Sequence, residues 1–456
     1  MYVRIEPINQ ETSSIAYLRS LSFGETRWLQ KEDDVFLYAA IHKSEVMLED
    51  LRFLGGTINQ ELQQNRCTKA DLDFPVFTSL LPAFSEEEVV AAFMEGWFLA
   101  DYQFISYKKE AVRKTPKLHF ANSDYEPLIK TAITKAEAVH VARDLCNEPA
   151  NKLTPSIYAD KLQKLFKDTA VDVEIIDSTA LRSRGFEATA VVGKGSSQPP
   201  QVAILTLKNS KTNNFALVGK GVTFDSGGTN VKTGTDIGEM KMDMGGSAAV
   251  VGAIKLLADL NAPVQVTAIL PLVTNVAGGN AFLPSDVITY RNGKTVEVGN
   301  TDAEGRLILA DGILYAQTIG ADTIIDIATL TGTIGQALGL KMAGIFSNNE
   351  KKLWNYKKLG ERTGDYVWPM PVIDDYQLYL KSSTADINNM SSSSFGGAIT
   401  AALFLKNFVE DHCHWVHIDM ANTVRPWKIE GYYQEGAAGF GVRLLTEIVV
   451  QESKRP

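Results

Sequence analysis

Phe215-Ala-Leu-Val-Gly-Lys220-Gly-Val-Thr-Phe-Asp225-Ser-Gly-Gly228 begins as an uninterrupted apolar run and ends in a lysine, an aspartate and paired glycines. Four apolar residues in succession, Phe215 to Val218, suit a strand covered on both faces, and such strands belong to sheets with helices on either side. Runs of the same texture recur at Val173 to Ile176, Val202 to Leu207, Val264 to Leu270, Thr323 to Ile327 and Trp415 to Ile418, separated by stretches of helical periodicity. Strands alternating with helices predict an α/β fold with a mixed, largely parallel, doubly wound sheet flanked by helices.

Upstream the texture differs. Residues 1–124 mix short apolar runs such as Val35 to Ile41 with amphipathic stretches such as Glu86 to Ala100, which reads as a small N-terminal α/β domain. Ile129, Ala132, Ala136, Val139, Ala142 and Leu145 then recur at helical spacing, and Asn147, Pro149 and Pro155 punctuate the end. Residues 125–148 are therefore expected to form a connecting helix, and 149–456 the domain that carries the chemistry. A chain of 456 residues exceeds the range in which a single core keeps growing, which also favours two domains.

Composition narrows the function classes. Hydrophobic content of 45% beside 22% charged residues is that of a soluble globular protein. A net charge of −9 opposes nonspecific attraction to nucleic acid or anionic lipid, so nucleic acid is an unlikely partner. Met1 to Gln10 carries charges and a proline where a signal peptide needs an apolar run, and no stretch reaches the length of a membrane span, so the cytoplasm is the expected location. Cys67, Cys146 and Cys413 are odd in number, far apart and without CxxC spacing, which indicates neither a disulfide framework nor a thiolate zinc site.

In open α/β sheets reactive groups gather where strands end at their carboxyl side. Three motifs suit that place: the opening stretch with Lys232 after it, Met240-Lys-Met-Asp243-Met-Gly-Gly246, and Asn300-Thr-Asp302-Ala-Glu304-Gly-Arg306-Leu307. One acidic residue in a glycine-rich turn ordinarily caps the next helix. Asp302 and Glu304, flanking a small alanine, can both aim inward only if a cation offsets their repulsion. With Asp225 and Asp243 they supply oxygen ligands for two divalent ions sharing bridging carboxylates, an arrangement found in two-metal hydrolases such as aminopeptidases. Lys220 has two readings, an ammonium in an ion pair or, beside a metal, a neutral amine ligand; spacing alone favours the ion pair. His412-Cys413-His414 with His417 has the composition of a metal cluster, but on a strand His414 and Cys413 diverge. Gly219 to Gly228 lacks the Gly-Lys-Ser/Thr ending of a phosphate loop, and no Gly-x-Ser-x-Gly elbow is present.

Taken together, the three motifs resemble the leucyl aminopeptidase family of metallopeptidases. The likeness continues in Ala142-Arg-Asp-Leu145, Ala328-Thr-Leu-Thr-Gly332, Ile399-Thr-Ala-Ala-Leu-Phe404 and Gly439-Phe-Gly-Val-Arg443, and runs from about Ala138 to the C-terminus. The resemblance implies an aminopeptidase that removes the N-terminal residue of short peptides, with a water bridging two metal ions as nucleophile. It implies a tightly held metal on Lys220, Asp225, Asp243 and Glu304 and an exchangeable one on Asp225, Asp302 and Glu304, as Zn²⁺ or Mn²⁺, with Mg²⁺ or Co²⁺ as alternatives. Lys232 would polarise the scissile carbonyl, and Arg306 would hold a bicarbonate serving as general base. Met240, Ala303, Thr329 and Gly332 would surround the first side chain, with Asn300 nearby, and six copies would form a homohexamer. Two departures, Thr233 after Lys232 and the serine-rich Asn389 to Phe395, bear on substrate preference. A taste for acidic or Cys-Gly substrates, or a DNA-binding regulatory role beside peptidase activity, stays open at this point.

Overall fold

The structure is a computed structural model and describes residues 2–109, 113–120, 123–210, 214–234 and 236–454. The chain divides into two compact units, Met1–His140 with Lys428–Glu435, and Val141–Trp427 with Gly436–Pro456.

The first unit contains β1 (Tyr2–Ile8), β2 (Thr26–Lys31), β3 (Asp34–Ala40), α1 (Leu48–Gln64), β4 (Lys69–Leu72), α2 (Phe74–Ser79), α3 (Glu86–Leu99), β5 (Lys117–His119) and the greater part of α4 (Glu126–Asn147). Its five strands lie in the order β2-β3-β1-β4-β5, with β2 antiparallel to β3 and the other pairs parallel. Ser85 caps α3 through Glu88, the Ser-x-x-Glu box that the sequence Ser85-Glu-Glu-Glu88 spells out. Val3, Leu54, Phe74, Phe93 and Trp97 lie in its apolar core.

The second unit contains α5 (Pro155–Leu165), β6 (Val171–Ile176), α6 (Glu187–Val192), β7 (Gln201–Lys208), β8 (Asn214–Gly219), β9 (Gly221–Gly228), α7 (Gly245–Asp259), β10 (Gln265–Val276), β11 (Val287–Thr289), β12 (Thr295–Glu297), α8 (Glu304–Thr318) and β13 (Thr323–Ala328). It continues with α9 (Gly332–Leu338), β14 (Ala343–Ser347), α10 (Glu350–Thr363), β15 (Val367–Pro369), β16 (Ile387–Asn388), α11 (Gly397–Lys406), β17 (His414–Asp419) and α12 (Val442–Ser453). The main sheet runs β15-β14-β17-β13-β8-β10-β7-β6, with β9 also paired to β10. Its centre, β17-β13-β8-β10, is parallel throughout, and antiparallel pairs enter at β14/β17, β10/β7 and β7/β6. The expected α/β architecture with a mixed, largely parallel sheet is the one observed.

All six residues of β13 are buried, as are five of the six in β8, which is why these strands read as unbroken apolar runs. Leu309 and Ile313 of α8 are fully buried in the core they share with Val218 and Ile269. Each such side chain contributes about 1.5–3 kcal/mol of burial free energy. β10 outlasts its expected end at Leu270 because it changes partner: it pairs with β8 as far as Ile269 and with β9 from Leu272. Pro271, which cannot donate to a ladder, falls in the gap between the two pairings. Lys220, Asn275 and Thr329 therefore sit at or just beyond the carboxyl ends of β8, β10 and β13.

Candidate metal centre

Lys220 is clamped before its side chain does anything. Its amide donates to Ile327 O (3.1 Å) and its carbonyl accepts from Ser247 N (2.9 Å), fixing the chain between β13 and the start of α7. Its Nζ then donates to Asp243 Oδ1 (2.8 Å) and Thr329 O (3.0 Å) and lies 3.0 Å from Glu304 Oε1. Gly305 makes that approach possible, since a Cβ there would fall 2.7 Å from Lys220 Cε.

Asp225, on β9, is 2% exposed. Its Oδ1 accepts from Gly227 N (2.9 Å) and Asn275 Nδ2 (2.8 Å), and its Oδ2 lies 2.8 Å from Lys232 Nζ. The turn that returns Lys232 to β9 passes through Gly227 and Gly228 at φ +90° and +65°, a conformation natural to glycine. Lys232 Nζ also lies 2.5 Å from Asp302 Oδ1. Asp243 precedes α7 and Glu304 opens α8, so both carboxylates stand at helix N-termini, where the positive end of the helix dipole favours them.

The three motifs thus bring Lys220, Asp225, Lys232, Asp243, Asp302 and Glu304 into one cluster in which four carboxylates meet two ammonium groups. Burial first, then the neighbouring Asp225 carboxylate, pushes the Glu304 carboxyl up to about 8; burial likewise holds Asp243 up at about 6 against the pull of Lys220. Asp302 is raised for the same two reasons as Glu304. Burial alone would lower the lysines, but the carboxylates around them hold both ammoniums above their ordinary value. Asp243 Oδ2 and Asp302 Oδ1 are buried without a well-formed hydrogen bond, each having only a lysine ammonium at 2.8 and 2.5 Å. Asp225, Asp302 and Glu304 each offer an oxygen within 4.8 Å of the others. Excess carboxylate, four groups against two ammoniums, fits divalent cations by chemistry as well as by placement.

Arg306 takes another direction. It is 7% exposed, its Nη1 donates to Asn389 O (2.8 Å), its Nε has no hydrogen-bond partner, and burial lowers it to about 10. Among the residues expected around the first side chain, Thr329 supports a carboxylate: its Oγ1 donates to Asp243 Oδ1 (2.8 Å) and Asp243 O (3.0 Å). Asn300 Oδ1 accepts from Asp302 N (2.8 Å), and Asn300 also lines a cleft of about 450 Å³ with Asn230, Val231, Lys232, Thr233 and Asp302. Met240 and Ala303 are half-buried next to these carboxylates in sequence, and Gly332 opens α9 with free space beside its Cα.

With this geometry in place, comparison with known proteins decides the family. The catalytic domain of the cytosol aminopeptidase family matches residues 140–446, a span that begins where the second unit does. The chain belongs to the cytosol aminopeptidase family. Members of that family are metallo-aminopeptidases, and this chain is an enzyme of that class, a peptidase. A protein of Rickettsia felis named probable cytosol aminopeptidase is 36% identical over 438 residues, covering 93% of this chain and 86% of its own. One of the same name from Aquifex aeolicus is 40% identical over 372 residues, covering 80% of this chain and 75% of its own. Among solved structures, the bottromycin maturation enzyme BotP superposes with a TM-score of 0.90 at 29% identity, covering 100% of this chain and 99% of its own. A second BotP structure, in complex with Mn, gives 0.89 at 29% identity, covering 99% of both chains.

Residues outside the motifs complete the cytosol aminopeptidase site. Asn389 is fully buried; its Oδ1 accepts from Gly299 N (2.7 Å) and Asn300 N (3.2 Å), and its Nδ2 donates to Asn300 O (2.8 Å) and Ala303 O (3.3 Å). It fastens the Asn300–Arg306 turn from a segment about 90 residues away. Asn275 does the same for the carboxylates from the end of β10, and the rule about strand ends, applied to that strand, would have found it. The histidines near β17 go to separate partners: His414 Nε2 to Tyr356 OH (2.9 Å), His417 Nδ1 to Asp326 Oδ1 (2.5 Å), and His412 to Cys413 Sγ (3.4 Å).

Proposed function

We propose that this aminopeptidase works with two divalent metal ions and removes the N-terminal residue from short peptides that have a free amine. The observation that carries this is the imbalance of the centre, four carboxylates against two ammoniums. Lys220, Asp225, Asp243 and Glu304 would hold one ion, and Asp225, Asp302 and Glu304 the other. Bound there, two divalent cations supply the charge that polarises a carbonyl and acidifies a water at neutral pH. Oxygen ligands with one amine suit Zn²⁺ or Mn²⁺, and accept Mg²⁺ or Co²⁺; the BotP complex with Mn supports manganese.

The chain's own residues do the rest. Lys232, with 18% of its side chain exposed, has an ammonium at the rim of the cleft, placed to meet negative charge as it develops on the scissile carbonyl oxygen. Arg306 keeps a buried Nε without a hydrogen-bond partner among the described residues, which suits an anion; it would hold a bicarbonate, which when bound would supply a general base. Asn300 lines the cleft, and Met240, Ala303, Thr329 and Gly332 would shape the pocket for the first side chain. We place the protein in the cytoplasm as a homohexamer, with residues 1–124, 125–148 and 149–456 as N-terminal domain, connecting helix and catalytic domain.

The test is a panel of aminoacyl and short-peptide substrates, acidic and Cys-Gly ones included, assayed after exhaustive chelation and after restoring Mn²⁺ or Zn²⁺. Cleavage of free-amine substrates, none of N-acetylated ones, and dependence on added metal are expected. Hydrolysis that survives chelation, or no cleavage under any metal, overturns the proposal.

A further inference from the structure

Asn275 is fully buried at the carboxyl end of β10, and in the β9/β10 ladder its register partner is Asp225. The ladder is irregular on both sides of the Thr274–Asn275 pair, and such irregularities re-aim side chains. Here the carboxamide is turned into the carboxylate cluster: Nδ2 donates to Asp225 Oδ1 (2.8 Å) and Thr301 O (3.0 Å) and reaches Glu304 Oε2 at 3.4 Å. Three acceptors converge on one group, so the amide can face them only with its nitrogen. Its oxygen points instead toward Gly228, where a Cβ would come within 2.8 Å.

The consequence is a division of labour within each carboxylate. Asp225 spends Oδ1 on Asn275 and on Gly227 N, and leaves Oδ2 toward Lys232. Glu304 spends Oε2 on Asn275, and leaves Oε1 toward Lys220. One neutral donor thereby fixes the rotation of two carboxylates without adding a charge that would compete with a cation. A lysine in this place would neutralise what the metal needs.

We propose that Asn275 is a positioning residue that sets the metal affinity of the centre, by holding the outer oxygens of Asp225 and Glu304 so that the inner ones stay aimed at the cation. This rests on the two-metal reading above. Partners that orient metal-binding carboxylates typically contribute about 10–100-fold in affinity.

The experiment is a Mn²⁺ titration of the chelator-treated full chain, following free Mn²⁺ by electron paramagnetic resonance, for wild type, Asn275→Leu and Asn275→Ala, with metal-free thermal midpoints measured alongside. Ile313→Val, a core truncation on α8 away from the centre, is the control for destabilisation alone. Mn²⁺ binding weakened about 10-fold or more in either Asn275 variant that folds, with the control unchanged, supports the proposal. Unchanged Mn²⁺ affinity with a lowered midpoint overturns it and leaves Asn275 a structural tie to Thr301. Equal weakening in Ile313→Val overturns it too. Wild type that binds no Mn²⁺ overturns this inference together with the two-metal reading, whereas tight wild-type binding matched by the variants overturns this inference alone.

Discussion

Two clusters of buried charge can be set side by side. In the first unit Arg52 Nε pairs with Glu95 Oε1 (2.9 Å), Arg52 Nη1 with Glu49 Oε2 (3.1 Å) and Lys135 Nζ with Glu95 Oε2 (3.2 Å), while Tyr432 OH donates to Glu49. In these ion pairs, all among the described residues, two cations meet two carboxylates, and the cluster joins α1, α3 and α4. In the second unit four carboxylates meet two cations, and three carboxyls are pushed up in pKa. Both clusters bear the desolvation cost of buried charge. What separates an internal tie from a binding site is the balance: a neutral cluster satisfies itself, and an acidic one waits for a cation.

Removing that cation should have the largest effect. Exhaustive chelation is expected to lower hydrolysis by about 10³-fold or more, because it removes both the polarising charge and the source of hydroxide at neutral pH. Re-addition of Mn²⁺ or Zn²⁺ should restore it, and a rate unmoved by chelation would show the second cluster to be as self-contained as the first. Within the centre, Lys232→Ala should lower kcat by about 10²–10³-fold, as loss of one preorganised donor does, with KM changed far less. A rise in KM at constant kcat would make Lys232 a binding group instead.

The converse change unbalances the first cluster. Arg52→Leu leaves Glu49 and Glu95, 5% and 2% exposed, with one cation fewer, and breaking a buried pair from one side costs about 3–5 kcal/mol. Urea unfolding should show that loss, while kcat per folded molecule stays at the wild-type value because none of these residues belongs to the carboxylate centre of the second unit. A fall in kcat with stability intact would contradict the division between structural and functional charge.

How legible this contrast was in the chain depends on range. Asp302 and Glu304 could be read as a pair because a single residue separates them, and the carboxyl ends of β8 and β13 were visible as the ends of apolar runs. The balanced cluster was not legible, since Arg52 and Glu95 are 43 residues apart on two helices whose faces no local pattern relates. Asn389, about 90 residues from the turn it fastens, escaped for the same reason. Thr329 was named from the sequence, but that its hydroxyl goes to Asp243 was not, because only packing says which way its oxygen points. β9 and the extension of β10 were missed because an exchange of strand partners leaves no periodicity behind.

A third buried carboxylate sharpens the comparison with the smallest effect. Asp311, on α8, is fully buried, and its Oδ2 accepts from Thr189 N (2.7 Å) and Thr189 Oγ1 (2.8 Å), while Oδ1 has no hydrogen-bond partner. No cation adjoins it among the described residues; burial pushes it up to about 7, against the pull of the Thr189 donors. Where the first cluster is offset by cations from its own chain and the second is proposed to be offset by metal, Asp311 is pushed toward its protonated form by burial. The sign follows from linkage. An unfolded aspartate releases its proton near pH 4 and the folded one near pH 7, so the unfolded state binds fewer protons in between and stability falls as pH rises through that window, then levels off. Asp311→Asn removes the titration, and its unfolding free energy should gain on wild type by about 4 kcal/mol between pH 4 and 8, with the difference nearly constant above that. Measuring the variant against wild type at each pH cancels the titration of the metal centre, which both share. Parallel curves would mean that Asp311 is ionised throughout, and that a buried carboxylate held by neutral donors alone needs neither cation nor proton.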